Sequence, residues 1–118
     1  MRDHTKLRAF ELADEVALMI YRLTKHFPKD ERYGLTSQIR RAAVSVPSNI
    51  VEGCARESQI EYCRFLEIAF GSLRELHYQF SLSKRLEYID QTEFNNCERM
   101  IIETEKVLNA LVRSVRKS

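Results

Sequence analysis

The segment FPKDERYGLTSQIRRAAVSVPSNIVEG, residues 27–53, contains the end of one predicted helix and the whole of the next. Pro28 ends the first helix because a proline ring disfavours helical geometry at the residue before it. A charged connector follows, and the spacing of apolar residues then predicts a second helix from Leu35 to Glu52. Gly53 is the predicted C-terminal cap of that helix. The segment therefore predicts two helices joined by a short link.

The second predicted helix carries small residues on its inner side and a proline within its length. Its inner stripe, at spacings of three and four residues, consists of Leu35, Ile39, Ala42, Val46 and Asn49. Pro47 cannot donate a backbone hydrogen bond to the carbonyl of Ala43, so we expect a kink at Pro47. The small pair Ala42 and Ala43 predicts that another backbone comes close to this helix.

Three more amphipathic helices are predicted outside this segment. They run from about Thr5 to His26, from Ser58 to about Leu86, and from Asp90 towards Lys117. Ser58 and Glu61 form a capping box at the start of the third helix. Gly71, in the middle of that helix, is expected to pack closely against a neighbour. The chain has 118 residues, with only three Gly and two Pro. We therefore predict an all-α single domain over residues 1–118, an antiparallel up-and-down four-helix bundle.

The basic residues are unevenly placed, although the formal net charge is only +2. Between Lys106 and Ser118 there is no acidic residue. This cation cluster either stabilises a helix C-terminus or contacts nucleic acid. Acidic neighbours interrupt the other basic positions, so one chain offers a patch rather than an extended footprint. The candidate nucleic-acid-binding residues are Arg32, Arg40, Arg41, Arg113, Arg116 and Lys117.

A second apolar face is present on helix two. Val44 and Val51 are seven residues apart and project roughly 150° away from the inner stripe, at about 100° per residue. Phe10 and Tyr21 form a weaker second face on helix one. Isolated apolar residues on a surface are common, but two aligned valines favour an interface between copies of the chain. We therefore predict a symmetric homo-oligomer.

Helix two also has a polar line, which consists of Arg41, Ser45, Ser48 and Glu52. Arg41 and Glu52 are expected to pair directly or through the serines. Two interpretations remain open for this line. It either ties helices together around the carbonyl freed by Pro47, or it forms a ligand site.

The sequence contains no recognisable catalytic or metal-binding motif. Its three histidines are far apart, and no Glu-x-x-His pair of the di-iron bundles occurs. The three cysteines have no Cys-x-x-Cys spacing, which predicts free, mostly buried thiols in a reducing compartment. No apolar run approaches the length of a membrane span, and no apolar signal segment is visible. We expect a cytoplasmic protein that is not an enzyme and has no cofactor, metal or small-molecule substrate.

The chain resembles the S23, or 23S-rRNA intervening-sequence, protein family in three stretches. They are residues 27–53, the later run FLEIAFGSLREL at 65–76, and the helix at 7–27. The resemblance implies an up-and-down four-helix bundle that assembles as a homopentameric ring. It implies no catalytic residue. A distant sibling group assists reverse transcriptases of diversity-generating retroelements, where nucleic-acid binding is proposed. The matching motif residues, which have no defined role, are Tyr33, Gly34, Gln38, Arg41, Ser48, Asn49 and Glu52.

Charge, apolar face and resemblance together predict a non-enzymatic homo-oligomer, a pentamer, that binds RNA, DNA or a protein that handles nucleic acid. Phosphate groups would dock on Arg32, Arg40, Arg41 and the C-terminal cations, repeated around the ring. The alternative is a protein–protein interaction scaffold with no nucleic-acid role.

Overall fold

The computed structural model describes residues 2–117 and contains four α-helices, with no strand in that range. The helices are α1 (Arg8–Thr24), α2 (Leu35–Cys54), α3 (Gln59–Arg85) and α4 (Gln91–Lys117). Single 3₁₀ turns, His4–Lys6 and Lys29–Glu31, precede α1 and α2. The prediction of an all-α fold is confirmed. The predicted domain and its basic C-terminal stretch include Met1 and Ser118, which lie outside the described residues.

The start of α1 differs from its prediction. The side chain of Asp3 accepts a hydrogen bond from the backbone N–H of Thr5 at 3.0 Å, which closes a separate 3₁₀ turn before the helix. Consequently α1 begins at Arg8 rather than near Thr5. The N-terminal caps of α3 and α4 follow from the sequence. The Ser58 hydroxyl accepts from the N–H of Glu61, and an Asp90 carboxylate oxygen accepts from the N–H of Glu93.

Neither of the two helical glycines has the role that the sequence predicts for it. Gly53 is not a cap, because α2 continues to Cys54 and Ala55 follows it in right-handed geometry. A Cβ atom on Gly53 would lie 2.9 Å from the Cβ of Phe65, so this glycine permits close packing of α2 on α3. The predicted close packing at Gly71 is wrong. Gly71 is exposed, and an added Cβ atom would have no neighbour within 4 Å.

The four helices surround one hydrophobic core, and each packs against two others. Helix α2 contacts α1 and α3, and α4 contacts the same two helices. The largest fully buried side chains include Ile20 of α1, Ile50 of α2, Phe80 of α3 and Ile101 of α4. Every helix therefore contributes its apolar stripe to the same interior. Pro47 lies inside α2, which is helical on both sides of it.

Contacts between sequence-distant residues bring specific helix ends together. At one end of the molecule the N–H of Arg2 donates to the carbonyl of Cys54, and the Gln59 amide donates to the carbonyl of Val115. At the other end the Phe27 and Tyr88 rings pack with centroids 5.3 Å apart. No helix in the described range is long and apolar enough to cross a membrane.

Candidate nucleic-acid interface

The reversal between α1 and α2 creates a basic groove. It consists of two adjoining depressions, of about 600 and 410 Å³, that share Arg32, Tyr33, Thr36 and Arg40. We use the name basic groove for these two depressions. The basic residues that line them are Lys25, Lys29, Arg32, Arg40 and Arg41. No acidic residue is among the lining residues within the described chain. The groove therefore gathers positive charge that is dispersed in the sequence.

A carboxylate close to the groove is engaged in holding the turn. The carboxylate of Glu31 accepts hydrogen bonds from the N–H of Leu35 at 3.1 Å and from the Tyr88 hydroxyl at 2.7 Å. These bonds, the one from Leu35 first, lower the pKa of Glu31 below its usual value. Gly34 leaves room for this carboxylate, because a Cβ on Gly34 would lie 2.8 Å from Glu31 Oε1. The Glu31 side chain thus caps α2 and links it to the segment between α3 and α4.

Arg40 is held in a defined position between α1 and α2. Its Nε donates to the hydroxyl of Thr24 at 2.7 Å, and its guanidinium lies 4.7 Å from the centroid of the Tyr21 ring. The Thr24 hydroxyl in turn donates to the carbonyl of Ile20 at 2.7 Å. Half-buried and tethered in this way, Arg40 forms a fixed cationic wall of the groove.

The remaining groove cations project into solvent. Arg32 and Arg41 are exposed, and neither they nor Arg40 form an ion pair with a carboxylate within residues 2–117. Tyr33, beside Arg32, exposes 87% of its surface. The Arg32 guanidinium is 5.5 Å from the Tyr33 ring centroid. These groups can take up an anion without first breaking an internal ion pair.

The predicted C-terminal cations do not join this groove. Arg116 is paired with Glu67, which also raises the pKa of the Arg116 guanidinium. Arg113 and Lys117 are exposed near the same end of α4. Glu67 lies 18 residues before Arg85, the C-terminal residue of α3. At 1.5 Å per residue this separation is roughly 27 Å along the helix. The candidate phosphate-binding cations predicted from the sequence therefore lie in two separate clusters.

The predicted interface residues also divide into groups. Val44 and Val51 are exposed at 41% and 36%. Phe10 is half-buried against the core, and its ring packs edge-on against that of His4 at 4.7 Å. Tyr21 is exposed, but its ring packs against the Arg40 guanidinium and belongs to the basic groove. The apolar surface left free on α2 is thus the pair of valines.

The polar line of α2 acts in part as a tie between helices. The Ser45 hydroxyl is 2.8 Å from that of Ser72 on α3, and the Asn49 side-chain amide donates to the Ser45 carbonyl at 2.8 Å. The predicted pairing of Arg41 with Glu52 is wrong, because Glu52 pairs with Arg56 at 2.9 Å. The other motif residues on this helix, Gln38 and Ser48, are exposed.

The sequence analysis missed Lys25, Lys29 and Thr24 as parts of the site. The sequence feature that could have indicated them is their position, because Lys25 and Lys29 flank the Phe27-Pro28 step at which the chain reverses onto α2. Elsewhere, His77 lies within hydrogen-bond reach of Glu105 at 2.9 Å, and Arg74 pairs with the same carboxylate oxygen. No group of three or more metal-ligating residues occurs in the described part of the chain.

Four helices around one core and a basic groove at one end define an all-helical protein with a cationic surface. The chain belongs to the 23S rRNA-intervening sequence protein family, whose model matches residues 5–110. It is similar to a protein of unknown function from the S23 ribosomal protein family of Bacteroides thetaiotaomicron, with 25% identity and a TM-score of 0.81. That match covers 88% of this chain and 97% of the other. No curated protein matches this chain at a significant level. The predicted family resemblance is confirmed.

Proposed function

We propose that the protein is a non-enzymatic, cytoplasmic nucleic-acid-binding protein that contacts phosphates through the basic groove. The observation that carries this proposal is the convergence of Lys25, Lys29, Arg32, Arg40 and Arg41 on one groove without a lining carboxylate. Cations that neutralise phosphates release counterions and so supply sequence-independent affinity. RNA is the first candidate, since the family description names an intervening sequence of 23S rRNA.

The proposal includes an antiparallel up-and-down four-helix bundle with a kink in α2 at Pro47. Contacts between Arg2 and Cys54 at one end, and between Phe27 and Tyr88 at the other, support that topology. The missing amide hydrogen of Pro47 supports the kink.

The proposal also includes assembly of the chain into a homo-oligomer, a pentameric ring. In this ring the exposed pair Val44 and Val51 contacts a neighbouring copy. Repetition of one groove around a ring would raise the overall affinity, since linked weak sites act at a high effective concentration.

The test is binding of the full chain to a fluorescently labelled RNA hairpin with a single-stranded tail, at about 50 and about 200 mM salt, a range over which electrostatic affinity falls steeply. We expect binding at the lower salt concentration that weakens steeply at the higher one. Arg41→Ala should weaken binding, whereas Arg22→Ala, which removes an exposed arginine of α1 outside the groove, should not. Absence of binding at the lower salt concentration would refute the proposal.

The second candidate function is an interaction scaffold that does not bind nucleic acid. The exposed valines of α2 favour it, because they offer an apolar surface independent of the groove. An oligomer that depends on Val44 and Val51 yet binds no RNA at low salt would establish the scaffold instead.

A further inference from the structure

We propose, on the basis of the proposed function, that the basic groove binds an unpaired segment of RNA and that Tyr33 stacks on one of its bases. The juxtaposition that carries it is an almost fully exposed tyrosine at the rim of a groove lined with arginines.

The Tyr33 ring is almost entirely exposed to solvent and is not part of the hydrophobic core. It exposes 87% of its surface, more than any other large apolar or aromatic side chain between residues 2 and 117. Its position is nevertheless defined, because it directly precedes Gly34 at the start of α2. An aromatic ring that faces water beside cations is the platform that single-stranded nucleic acids use, since every base has a face that can stack.

The two tyrosines of the groove are not equivalent. The Tyr21 ring lies under the Arg40 guanidinium, 4.7 Å from its centroid, and Arg40 is tethered to Thr24. The corresponding distance from Arg32 to the Tyr33 ring is 5.5 Å, and Arg32 is exposed. Arginine can stack on a base or bind a phosphate. Tyr33 and Arg32 therefore remain available to a base, whereas Tyr21 serves to position Arg40.

The first turns of α2 supply polar contacts beside this platform. Ser37 and Arg41 are four residues apart and lie on the same face of the helix, with Cβ atoms about 5–6 Å apart. Both residues line the 410 Å³ part of the groove together with Tyr33. The Arg41 guanidinium can bind a phosphate, and the Ser37 hydroxyl can donate to or accept from a ribose 2′-hydroxyl. Tyr33 and the first turns of α2 together thus offer groups for base, sugar and phosphate.

A duplex cannot use all these groups. Its internal bases are paired and stacked on both faces, so none of them presents a free face to the Tyr33 ring. Sequence-specific and stacking recognition of RNA is directed at unpaired bases for this reason. A duplex would contact only the cations, and its binding would not depend on the aromatic ring.

The experiment compares an unstructured single-stranded RNA, with 2-aminopurine at its centre, to the blunt duplex of the same sequence. The full-length chain is used as wild type, Tyr33→Ala, Tyr33→Phe and Tyr78→Ala. Tyr78 is the matched control, because it is 60% exposed with Arg85 near its ring but lies on α3 outside the groove. Tyr33→Ala should weaken single-strand binding about tenfold, the scale of one lost base stack, and should abolish quenching of 2-aminopurine. Tyr33→Phe and Tyr78→Ala should behave as wild type, and duplex binding should not change.

Each opposite result has a distinct meaning. If the duplex binds as tightly as the single strand and Tyr33→Ala has no effect, while Arg41→Ala weakens both, the stacking inference is overturned and the proposed function stands. If neither RNA binds at low salt, the proposed function fails. If the matching DNA strand binds more tightly than the RNA, the assignment of the groove to RNA is overturned.

Discussion

Gly53 of α2 faces Phe65 of α3 so closely that a Cβ atom on the glycine would lie 2.9 Å from the Cβ of the phenylalanine. The Tyr62 ring and carbonyl lie almost as near, at 3.3 and 3.4 Å from the same position. The Phe65 Cβ adjoins the α3 backbone and the Tyr62 carbonyl oxygen belongs to it, so neither can move aside as the end of a flexible side chain would. The distance between α2 and α3 at this end of the molecule therefore depends on one missing methyl group.

Substitution of the two helical glycines by alanine should have opposite effects. Gly53→Ala should destabilise the fold by about 1–3 kcal/mol, the usual range for overpacking. Gly71→Ala should stabilise it by up to about 1 kcal/mol, because Gly71 is exposed and alanine is the better helix former. The measurement is urea unfolding followed by circular dichroism. Equal shifts of the two midpoints would contradict the packing derived for Gly53.

The apolar stripes of α2 and α3 are sufficient to separate these glycines. Gly53 follows Ile50 by three residues and Val46 by seven, which places it on the buried face of α2. Gly71 is two residues from both Ala69 and Leu73, about 200° around α3 at about 100° per residue. Helical phase thus predicts which glycine is buried. The number and type of helices follow from the same periodicity.

The basic groove was less predictable from the sequence. Arg40 and Arg41 are adjacent in sequence, yet one is tethered to Thr24 and the other extends into solvent. The sequence also does not indicate that Glu31 uses its carboxylate on Leu35 and Tyr88. Such features depend on the angle between helices and on side-chain conformations, which periodicity does not specify.

The bonds of Glu31 predict a pH-dependent contribution to stability. Because the pKa of Glu31 is lowered in the folded state, the carboxylate stabilises the fold above its ordinary value of 4.5. That contribution is lost as the pH falls through the lowered folded-state pKa. Glu31→Gln should therefore be less stable than wild type at pH 7, and the difference should disappear in strongly acidic buffer. Urea midpoints across this pH range provide the measurement.

The control for that prediction is Tyr88→Phe, which removes only the hydroxyl that donates to Glu31. It should reproduce part of the loss at neutral pH, because the bond from Leu35 remains. A difference between wild type and Glu31→Gln that persists unchanged in acid would show that the carboxylate charge is not involved.

Charge on the second apolar face of α2 should disrupt assembly. Val44→Glu or Val51→Glu should lower the native mass measured by light scattering, because a buried unpaired carboxylate at an interface is strongly unfavourable. Helicity should be unchanged, since both side chains are exposed in the single chain. Ile102→Glu is the matched control, because Ile102 is similarly exposed but lies on α4. A wild-type protein that is already monomeric would rule out the interface.

The three cysteines should differ in their reactivity towards a thiol reagent. Burial, with a smaller contribution from Glu93, raises the pKa of the Cys97 thiol to about 11. Burial also raises the pKa of Cys54. Because the thiolate is the reactive form, only the half-buried Cys63 should label quickly at neutral pH. Mass spectrometry after brief labelling should detect one modification, which Cys63→Ser removes. Rapid labelling of all three thiols in the native protein would contradict the buried positions of Cys54 and Cys97.

The two cationic clusters should contribute unequally to RNA binding. Arg41→Ala removes an unpaired cation from the groove and should reduce the slope of log affinity against log salt by roughly 0.7, the value for one single-strand phosphate contact. Arg116→Ala should change the slope little, because Glu67 already neutralises that guanidinium. Arg113→Ala tests an exposed, distant cation of the same side-chain type. A loss for Arg113→Ala equal to that for Arg41→Ala would mean that bound RNA spans both ends of the molecule, and the groove alone would then not define the binding surface.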